Sequence, residues 1–314
     1  MKNNLKNKIM LAFFAGNMLC MGSAWADDII WYGTADGTGH VTSKSSALMN
    51  NAKLIIAGTE DGIGDVDEFY GGYSQSGIAE NNEVKINGGS VSYVYGGSSV
   101  SNNAVGNTVT INGGIITEGI TGGNSGTGNV SENHVVIVNG KVDGYIFGGD
   151  TAHGNATGNV VELNAGDIDA EVYGGFSNGG GEVKDNTVIL NGADVSGAKI
   201  YGYYTTGSHS GNKLEVKKLA TAISVSNFDI INFTLPSGTT DGSKILNAST
   251  VNLSGTKINV GAVSGLTLNA DDTITLIHTT NGITGTFTVG NISLKGNWEI
   301  LINGNDIVLL GSDD

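Results

Sequence analysis

The chain has 314 residues, including 51 glycines and one proline, and its formal net charge is −15 without a single arginine. Glycine follows no Gly-X-Y period, which excludes a collagen-like chain. Hydrophobic residues make up 39% of the chain and are regularly spaced, which is too high a content for a disordered chain. The acidic charge and the lack of arginine, the usual phosphate ligand, argue against nucleic acid as a partner.

Residues 1–26 are typical of a secretory signal peptide. Three lysines precede an apolar stretch, and Ala24-Trp25-Ala26 forms a small-x-small cleavage motif. A membrane anchor is the weaker interpretation, because the apolar stretch is short for a span and is interrupted by glycine and asparagine. A lipid anchor is disfavoured because Leu19, not a small residue, precedes Cys20. We therefore predict an exported chain that has no cysteine after cleavage.

Residues 27–66 are predicted to form an N-terminal cap, which a solenoid needs to cover its first sheet edge. Its predicted strands are Ile29–Tyr32 and Lys53–Ile56. A neighbouring acidic cluster has two interpretations, a calcium site or a solvated loop, and the lack of a calcium-binding motif favours the loop. The cluster consists of Glu60, Asp61, Asp65, Asp67 and Glu68.

Residues 67–217 repeat one pattern six times. In each copy a pair of β-branched or aromatic residues leads into glycine, and an asparagine followed by alternating aliphatic residues comes about ten positions later. The first five copies have a glycine doublet and the sixth has lost its second glycine: Phe69-Tyr70-Gly71-Gly72, Val94-Tyr95-Gly96-Gly97, Ile120-Thr121-Gly122-Gly123, Ile146-Phe147-Gly148-Gly149, Val172-Tyr173-Gly174-Gly175 and Ile200-Tyr201-Gly202-Tyr203. The asparagines are spaced by 25, 26, 26, 27 and 26 residues: Asn82, Asn107, Asn133, Asn159, Asn186 and Asn212. Such a near-constant period predicts stacked structural repeats.

Each repeat is predicted to form one turn of a parallel β-helix, about 25–27 residues long. In the second copy, three short strands would begin at Asn107, Ile115 and Ile120, and a polar loop would run through Gly128. Successive turns would stack about 4.8 Å apart, as paired strands do. The alternation in Asn-x-Val-x-Ile places valine and isoleucine inside the helix. The predicted fold class is therefore all-β, a single-stranded parallel β-helix.

Stacking of like residues predicts two columns of side chains. The asparagines would bond amide to amide from turn to turn. The aromatic file would contain Tyr70, Tyr95, Phe147, Tyr173 and Tyr201, with Thr121 as an interruption. The file has two interpretations, a structural stack or a surface for sugar rings, and the structural one is favoured because the rings lie beside glycines that lack side chains.

Residues 218–314 are predicted to continue the solenoid with short strands but without the 26-residue period. The segments Phe228–Pro236, Ser243–Leu246, Leu253–Thr256 and Asp272–Ile277, together with the repeats, resemble bacterial autotransporter passenger domains over most of residues 67–310. The resemblance implies a right-handed β-helix at a Gram-negative cell surface or secreted from it, in an adhesin or biofilm role. It also implies an outer-membrane barrel, and residues up to Asp314 contain no such strands. The barrel would then be on another chain, or the sequence would be a truncated or stand-alone relative.

No catalytic, cofactor-binding or metal-binding residues are predicted. The only carboxylate candidates for glycoside chemistry lie in adjacent turns and are more typical of a solvated surface: Asp143, Asp150, Asp167, Asp169 and Glu171. The histidines share no metal-ligand spacing and no grouping with serine or aspartate: His40, His134, His153, His209 and His278.

We therefore expect a non-enzymatic, exported β-helix, at the cell surface, extracellular or in the periplasm, that acts in adhesion or self-association. Expected partners are surface glycans or proteins of host or bacterium, a second copy of the chain, or the barrel. Two alternatives remain, a carbohydrate-active β-helix enzyme (a polysaccharide lyase or glycosidase) and a secreted structural protein of fibres or a surface layer.

Overall fold

In the computed structural model, the protein is described over residues 29–31, 53–56 and 66–312, with side chains from Glu68 onward. This part is all-β, without a helix, and its parallel sheets stack as a β-solenoid of about 8 turns. The predicted fold class is thus confirmed. The predicted signal peptide and most of the predicted cap and its acidic cluster lie outside the described residues.

Three sheets form the walls of the solenoid. Sheet A has 11 strands, which follow one another along the axis in chain order: Ile29–Trp31, Lys53–Ile56, Glu83–Ile86, Thr108–Ile111, His134–Ile137, Val160–Leu163, Thr187–Leu190, Lys213–Val216, Ile230–Leu235, Thr256–Ala262 and Phe287–Ile292. The first two are the strands predicted for the cap, and they extend sheet A in parallel.

Sheet B has 12 strands and contains the glycine doublets. Its strands are Val66–Ser74, Ser90–Ser99, Ile115–Ser125, Lys141–Thr151, Asp167–Ser177, Lys199–Tyr204, Ala220–Ser226, Lys244–Asn252, Thr273–Thr279, Ile283–Thr284, Asn297–Asn303 and Asp306–Ser312. Sheet C is made of six two-residue strands: Ala79–Glu80, Ala104–Val105, Val130–Ser131, Ala156–Thr157, Val183–Lys184 and His209–Ser210.

Register is kept from turn to turn in the repeat region. Val135, for example, pairs with Val109 on one side and Val161 on the other. The inward valines and isoleucines of sheets A and B form one continuous core along the axis. Sheet C adds a separate small column of buried residues: Ala79, Ala104, Val130, Ala156 and Val183.

Two local predictions are wrong. The second and third predicted strands of a turn are one strand, Ile115–Ser125 in the second copy, because pairing with the next turn continues on both sides of the first glycine, at Thr121 and at Gly123. Each turn still has three strands, but the third lies just beyond the predicted polar loop, at Val130–Ser131 in that copy. Its alternation is too short to be seen in a sequence.

The far end of the solenoid has a different construction. Asn297–Asn303 and Asp306–Ser312 form an antiparallel hairpin, and the second of these strands pairs antiparallel with Thr273–Thr279. The hairpin covers the last parallel strand of sheet B, and Trp298 packs against the core. It was not foreseen from the sequence, which shows only further short strands there.

Each glycine doublet permits two close approaches. A Cβ at the first glycine, such as Gly122, would overlap the carbonyl oxygen of Gly148 in the next turn. A Cβ at the second, such as Gly123, would overlap the side-chain amide of Asn133. The glycine doublet therefore allows neighbouring turns of sheet B to pack closely. It also lets sheet B lie directly against the asparagine column.

Candidate binding surface at the glycine corner

The asparagine column is a buried ladder of hydrogen bonds behind the glycine corner. Asn107 donates from its backbone N and from Nδ2 to Oδ1 of Asn133, at 3.0 and 2.9 Å, and Asn133 bonds Asn159 in the same way. The other Nδ2 proton of Asn133 reaches the carbonyl oxygen of Ala104 in sheet C at 3.0 Å. All six asparagines are at most 1% exposed. The predicted ladder is confirmed, and it fixes the turn register behind the corner.

The ladder ends at a carboxylate. Asn212, its last member, donates from N and Nδ2 to Oδ2 of Asp229 at 2.9 and 3.0 Å. In the next turn the buried Phe228 occupies the ladder position, since it follows a residue with positive φ, as each ladder asparagine does. Phenylalanine has no amide oxygen that could accept the hydrogen bonds of Asn212. An anion placed on the terminal N–H donors is the favourable way to end such a row.

A second ladder, of hydroxyl groups, was missed from the sequence. In the second copy Ser125 accepts from the backbone N of Gly128 at 2.8 Å and donates to the carbonyl oxygen of Asn102 in the preceding turn at 2.7 Å. Equivalent side chains occupy the same position in every copy: Ser74, Ser99, Ser125, Thr151, Ser177 and Thr205. The signal was available, since a hydroxyl residue follows each glycine pair by two positions.

Aromatic rings stack on the outer face of the corner. Tyr70 lies on Tyr95 with ring centroids 4.7 Å apart, and Tyr173 lies between Phe147, at 5.3 Å, and Tyr201, at 4.7 Å. The predicted aromatic file is therefore confirmed in two segments, separated by Thr121 as predicted. Because stacked rings cover one another's faces, each segment offers mainly ring edges to solvent.

Further rings widen this file into a surface. Tyr145 lies beside Phe147 at 5.8 Å and is 49% exposed, and Phe176 contacts Phe147 edge-on and stacks on Tyr204, which is 41% exposed. We call the whole set the aromatic corner: Tyr70, Tyr73, Tyr93, Tyr95, Tyr145, Phe147, Tyr173, Phe176, Tyr201 and Tyr204. The sequence indicated only half of it, because the other rings are not in the repeated position.

Asp150 lies on the aromatic corner, in register with Asn124 on one side and Phe176 on the other. It accepts one hydrogen bond, from Nδ2 of Asn124 at 3.2 Å. Burial raises the pKa of the Asp150 carboxyl to about 6, although the bond from Asn124 opposes this shift. Within the described residues, no lysine or histidine nitrogen pairs with it.

The other carboxylate candidates lie before the glycine doublet, and two of them pair with lysine. Asp143 pairs with Lys141, and Glu171 accepts from Lys199 at 2.9 Å and from the hydroxyl of Tyr173 at 3.1 Å. Asp169 is the register neighbour of Asp143, and Asp167 that of Lys141. Asp150, beyond the glycine doublet, is not brought together with them in register.

Histidines form pairs that their spacing did not reveal. His209 lies 3.0 Å from Asp229 and 2.8 Å from the hydroxyl of Tyr203, the residue that replaces the sixth corner's second glycine. His278 lies 2.6 Å from Asp306, across the antiparallel pairing. These neighbours come together through stacking of distant segments, so the expected lack of histidine–aspartate grouping is wrong.

The described part of the chain contains no group of three or more histidine, cysteine, aspartate or glutamate side chains able to hold a metal ion. It also contains no helix long and apolar enough to cross a membrane. A groove of about 300 Å³ lies beside Asp194, Leu219 and Lys244. The aromatic corner, with its exposed rings and with Asp150, is the candidate functional site.

Comparisons of this chain with protein-family models, with curated proteins and with solved structures gave no match.

Proposed function

We propose that this chain is an exported, non-enzymatic β-solenoid of the autotransporter-passenger type that acts in adhesion or self-association. The observation that carries the proposal is the aromatic corner, which places rings side by side on successive turns of a rigid scaffold. Exposed aromatic side chains of this kind are enriched where proteins bind partners. The negative charge of the chain favours neutral or cationic partners over anionic polymers.

The scaffold also supports a binding role. Corner side chains extend from strands whose backbone is fixed by two internal ladders, so little conformational entropy is lost when a partner binds. Of the acidic residues considered for glycoside chemistry, Asp143 and Glu171 pair with lysines, and Asp150 lies beyond the glycine doublet from the other four. A surface for binding is thus a better fit to this geometry than a cleft for turnover.

The test compares two exposed residues on different walls. Tyr145→Ala removes a ring that is 49% exposed on the aromatic corner, whereas Val289→Ala removes a side chain that is 48% exposed on sheet A. We expect retention on bacterial and host cell surfaces, or concentration-dependent sedimentation, to fall several-fold for Tyr145→Ala and to stay unchanged for Val289→Ala. Equal behaviour of both variants would refute the proposal.

A second arm addresses the enzymatic alternative. Purified protein is incubated with a panel of polysaccharides, and reducing ends or unsaturated products are measured over time. No product is expected. Reproducible release that disappears in Asp150→Asn would replace the proposal with a carbohydrate-active enzyme.

A further inference from the structure

Smaller polar side chains interrupt the rings of one column of the aromatic corner, and we call this interruption the notch. The column of side chains that follows each glycine pair contains aromatic residues at its two ends, with Ser98, Asn124 and Asp150 between them. Ser98 donates to Oδ1 of Asn124 at 3.2 Å, and Asn124 donates onward to Asp150 at 3.2 Å. The hydrogen bonds therefore run in one direction and end on the carboxylate.

Asp150 is poorly neutralised where it lies. It receives a single side-chain hydrogen bond, from Asn124, and has no cationic partner among the described residues. Burial raises its pKa to about 6, so at neutral pH the protein holds this carboxylate charged against a desolvation cost. A group kept in such a state between aromatic side chains is a candidate for ligand binding.

The surroundings of Asp150 favour a cation. Phe176 is its register neighbour and uses its other side to stack on Tyr204, while Phe147 lies edge-on to Phe176 at 5.2 Å. Aromatic faces carry partial negative charge, so a carboxylate beside such a face is unfavourable unless a positive group lies between them. Thr121 replaces a ring between Tyr95 and Phe147, which leaves the near face of Phe147 without a stacking partner in its column.

We propose that the notch formed by Asp150, Phe147 and Phe176 binds an alkylammonium group, as carried by a polyamine or by a lysine side chain. Asp150 supplies the counter-charge and the rings supply cation–π contacts. This deepens the proposed function and rests on it, because it takes the aromatic corner as the binding surface and names the chemistry that one part of it recognises.

Other titratable groups lie on the strands next to that of Asp150. The strand on one side contains Glu118 and the strand on the other contains Glu171 and Tyr173, all placed before the glycine doublet. Tyr95 lies one turn further along, and burial, together with the charge of Asp150, raises the pKa of its hydroxyl. His153 follows Asp150 by three positions in the sequence. A charge-matched control is therefore required, and Asp143→Asn provides it because Asp143 already pairs with Lys141.

The experiment measures binding of spermidine and of lysine amide to the full chain by calorimetry, at constant ionic strength. Asp150→Asn is expected to weaken both at least about tenfold, and Phe176→Leu about three- to fivefold, whereas Asp143→Asn leaves affinity unchanged. Nε-acetyl-lysine amide, which lacks the positive charge, is expected not to bind. Tighter binding of spermidine points to a free polyamine as ligand, and tighter binding of lysine amide points to a protein side chain; either order supports the proposal.

The pH dependence gives an independent readout. With the pKa of Asp150 at about 6, its ionised fraction falls from about nine tenths at pH 7 to about one tenth at pH 5, so affinity falls about tenfold. In Asp150→Asn this pH dependence disappears. Equal weakening by Asp143→Asn, or binding of the acetylated probe, would overturn the proposal, while the cell-retention assay with Tyr145→Ala would still decide the proposed function separately.

Discussion

Two regions of this solenoid stack their turns by different means. In residues 66–216 the turns recur every 25 to 27 residues, three sheets are present, and buried asparagines bond from one turn to the next. In residues 217–312 neighbours within one column are 17, 27 and 32 residues apart, sheet C is absent, and an antiparallel hairpin closes the end. Parallel pairing continues across the boundary all the same.

The difference separates two requirements that the repeat region satisfies together. Stacking of turns needs only inward apolar residues, which the second region supplies with larger side chains such as Phe233, Leu235 and Leu253. A constant period is needed only where identical polar side chains must meet. The partly exposed column that links Glu215, Asn232 and Asn259 shows that amide ladders also occur in the second region, but water can replace those bonds.

The largest expected effect comes from breaking the buried ladder. Asn133→Ala removes four hydrogen bonds and leaves the backbone N–H and one Nδ2 proton of Asn107 buried without an acceptor. Each such group costs about 1–3 kcal/mol, so the free energy of unfolding should fall by about 3–5 kcal/mol in urea denaturation. Asn259→Ala, in the partly exposed column, is the matched control and should cost less than about 1 kcal/mol. Similar losses for both would show that burial of the ladder is unimportant.

Filling one glycine should have the next largest effect. Gly123→Ala places a Cβ against the amide of Asn133, whereas Gly261→Ala, in the second region, meets no atom within 4 Å. We expect Gly123→Ala to lower the free energy of unfolding by about 1–3 kcal/mol through overpacking. Gly261→Ala should be neutral or raise stability by up to about 1 kcal/mol, because alanine loses less backbone entropy in a strand. Thermal and urea unfolding measure both, and a harmless Gly123→Ala would contradict the close approach.

Asp150 makes the repeat region sensitive to pH. Its pKa is raised in the folded protein to about 6, so the folded state binds the proton more tightly than the unfolded chain. Its contribution to stability is therefore best at low pH and falls as pH rises from about 4 to about 6. Asp150→Asn should raise the free energy of unfolding at pH 7 by on the order of 1 kcal/mol and flatten its pH profile in that window. Urea midpoints of both proteins between pH 4 and 7 provide the measurement, and parallel profiles would contradict it.

The smallest effect concerns a backbone conformation just before the ladder. Glu132 has a φ of 56°, a left-handed conformation that glycine, asparagine or aspartate takes at the equivalent positions of the other five copies. Glu132→Asn should therefore raise the free energy of unfolding by about 0.5 kcal/mol, since asparagine tolerates this conformation better. Glu118→Asn, at an exposed position within a strand, should bring no gain, because asparagine is disfavoured in strands. A gain for Glu118→Asn equal to that for Glu132→Asn would refute the conformational explanation.

How much was predictable depends on how far each feature repeats. Asn107 and Asn133 could be superimposed from their spacing alone, because the period aligns them and alternation points Val109 and Val135 inward. Asp229 could not be foreseen as the end of the ladder, since only 17 residues separate it from Asn212 and the constant spacing has by then been lost. Half of the aromatic corner is predictable from the sequence. The surroundings of Asp150 are not, because its neighbours Asn124 and Phe176 are known only from the register.

The uniform register in the repeat region makes the molecule modular in length. Excising residues 133–158 would join Glu132 to Asn159, so the donors of Asn107 would meet the same amide oxygen that Asn133 now uses. Such a deletion would shorten the rod by one turn, about 4.8 Å, while changing which rings and acids are displayed outside. Whole turns could be deleted or inserted, and the exposed side chains could be changed, without breaking the hydrogen bonds inside the solenoid.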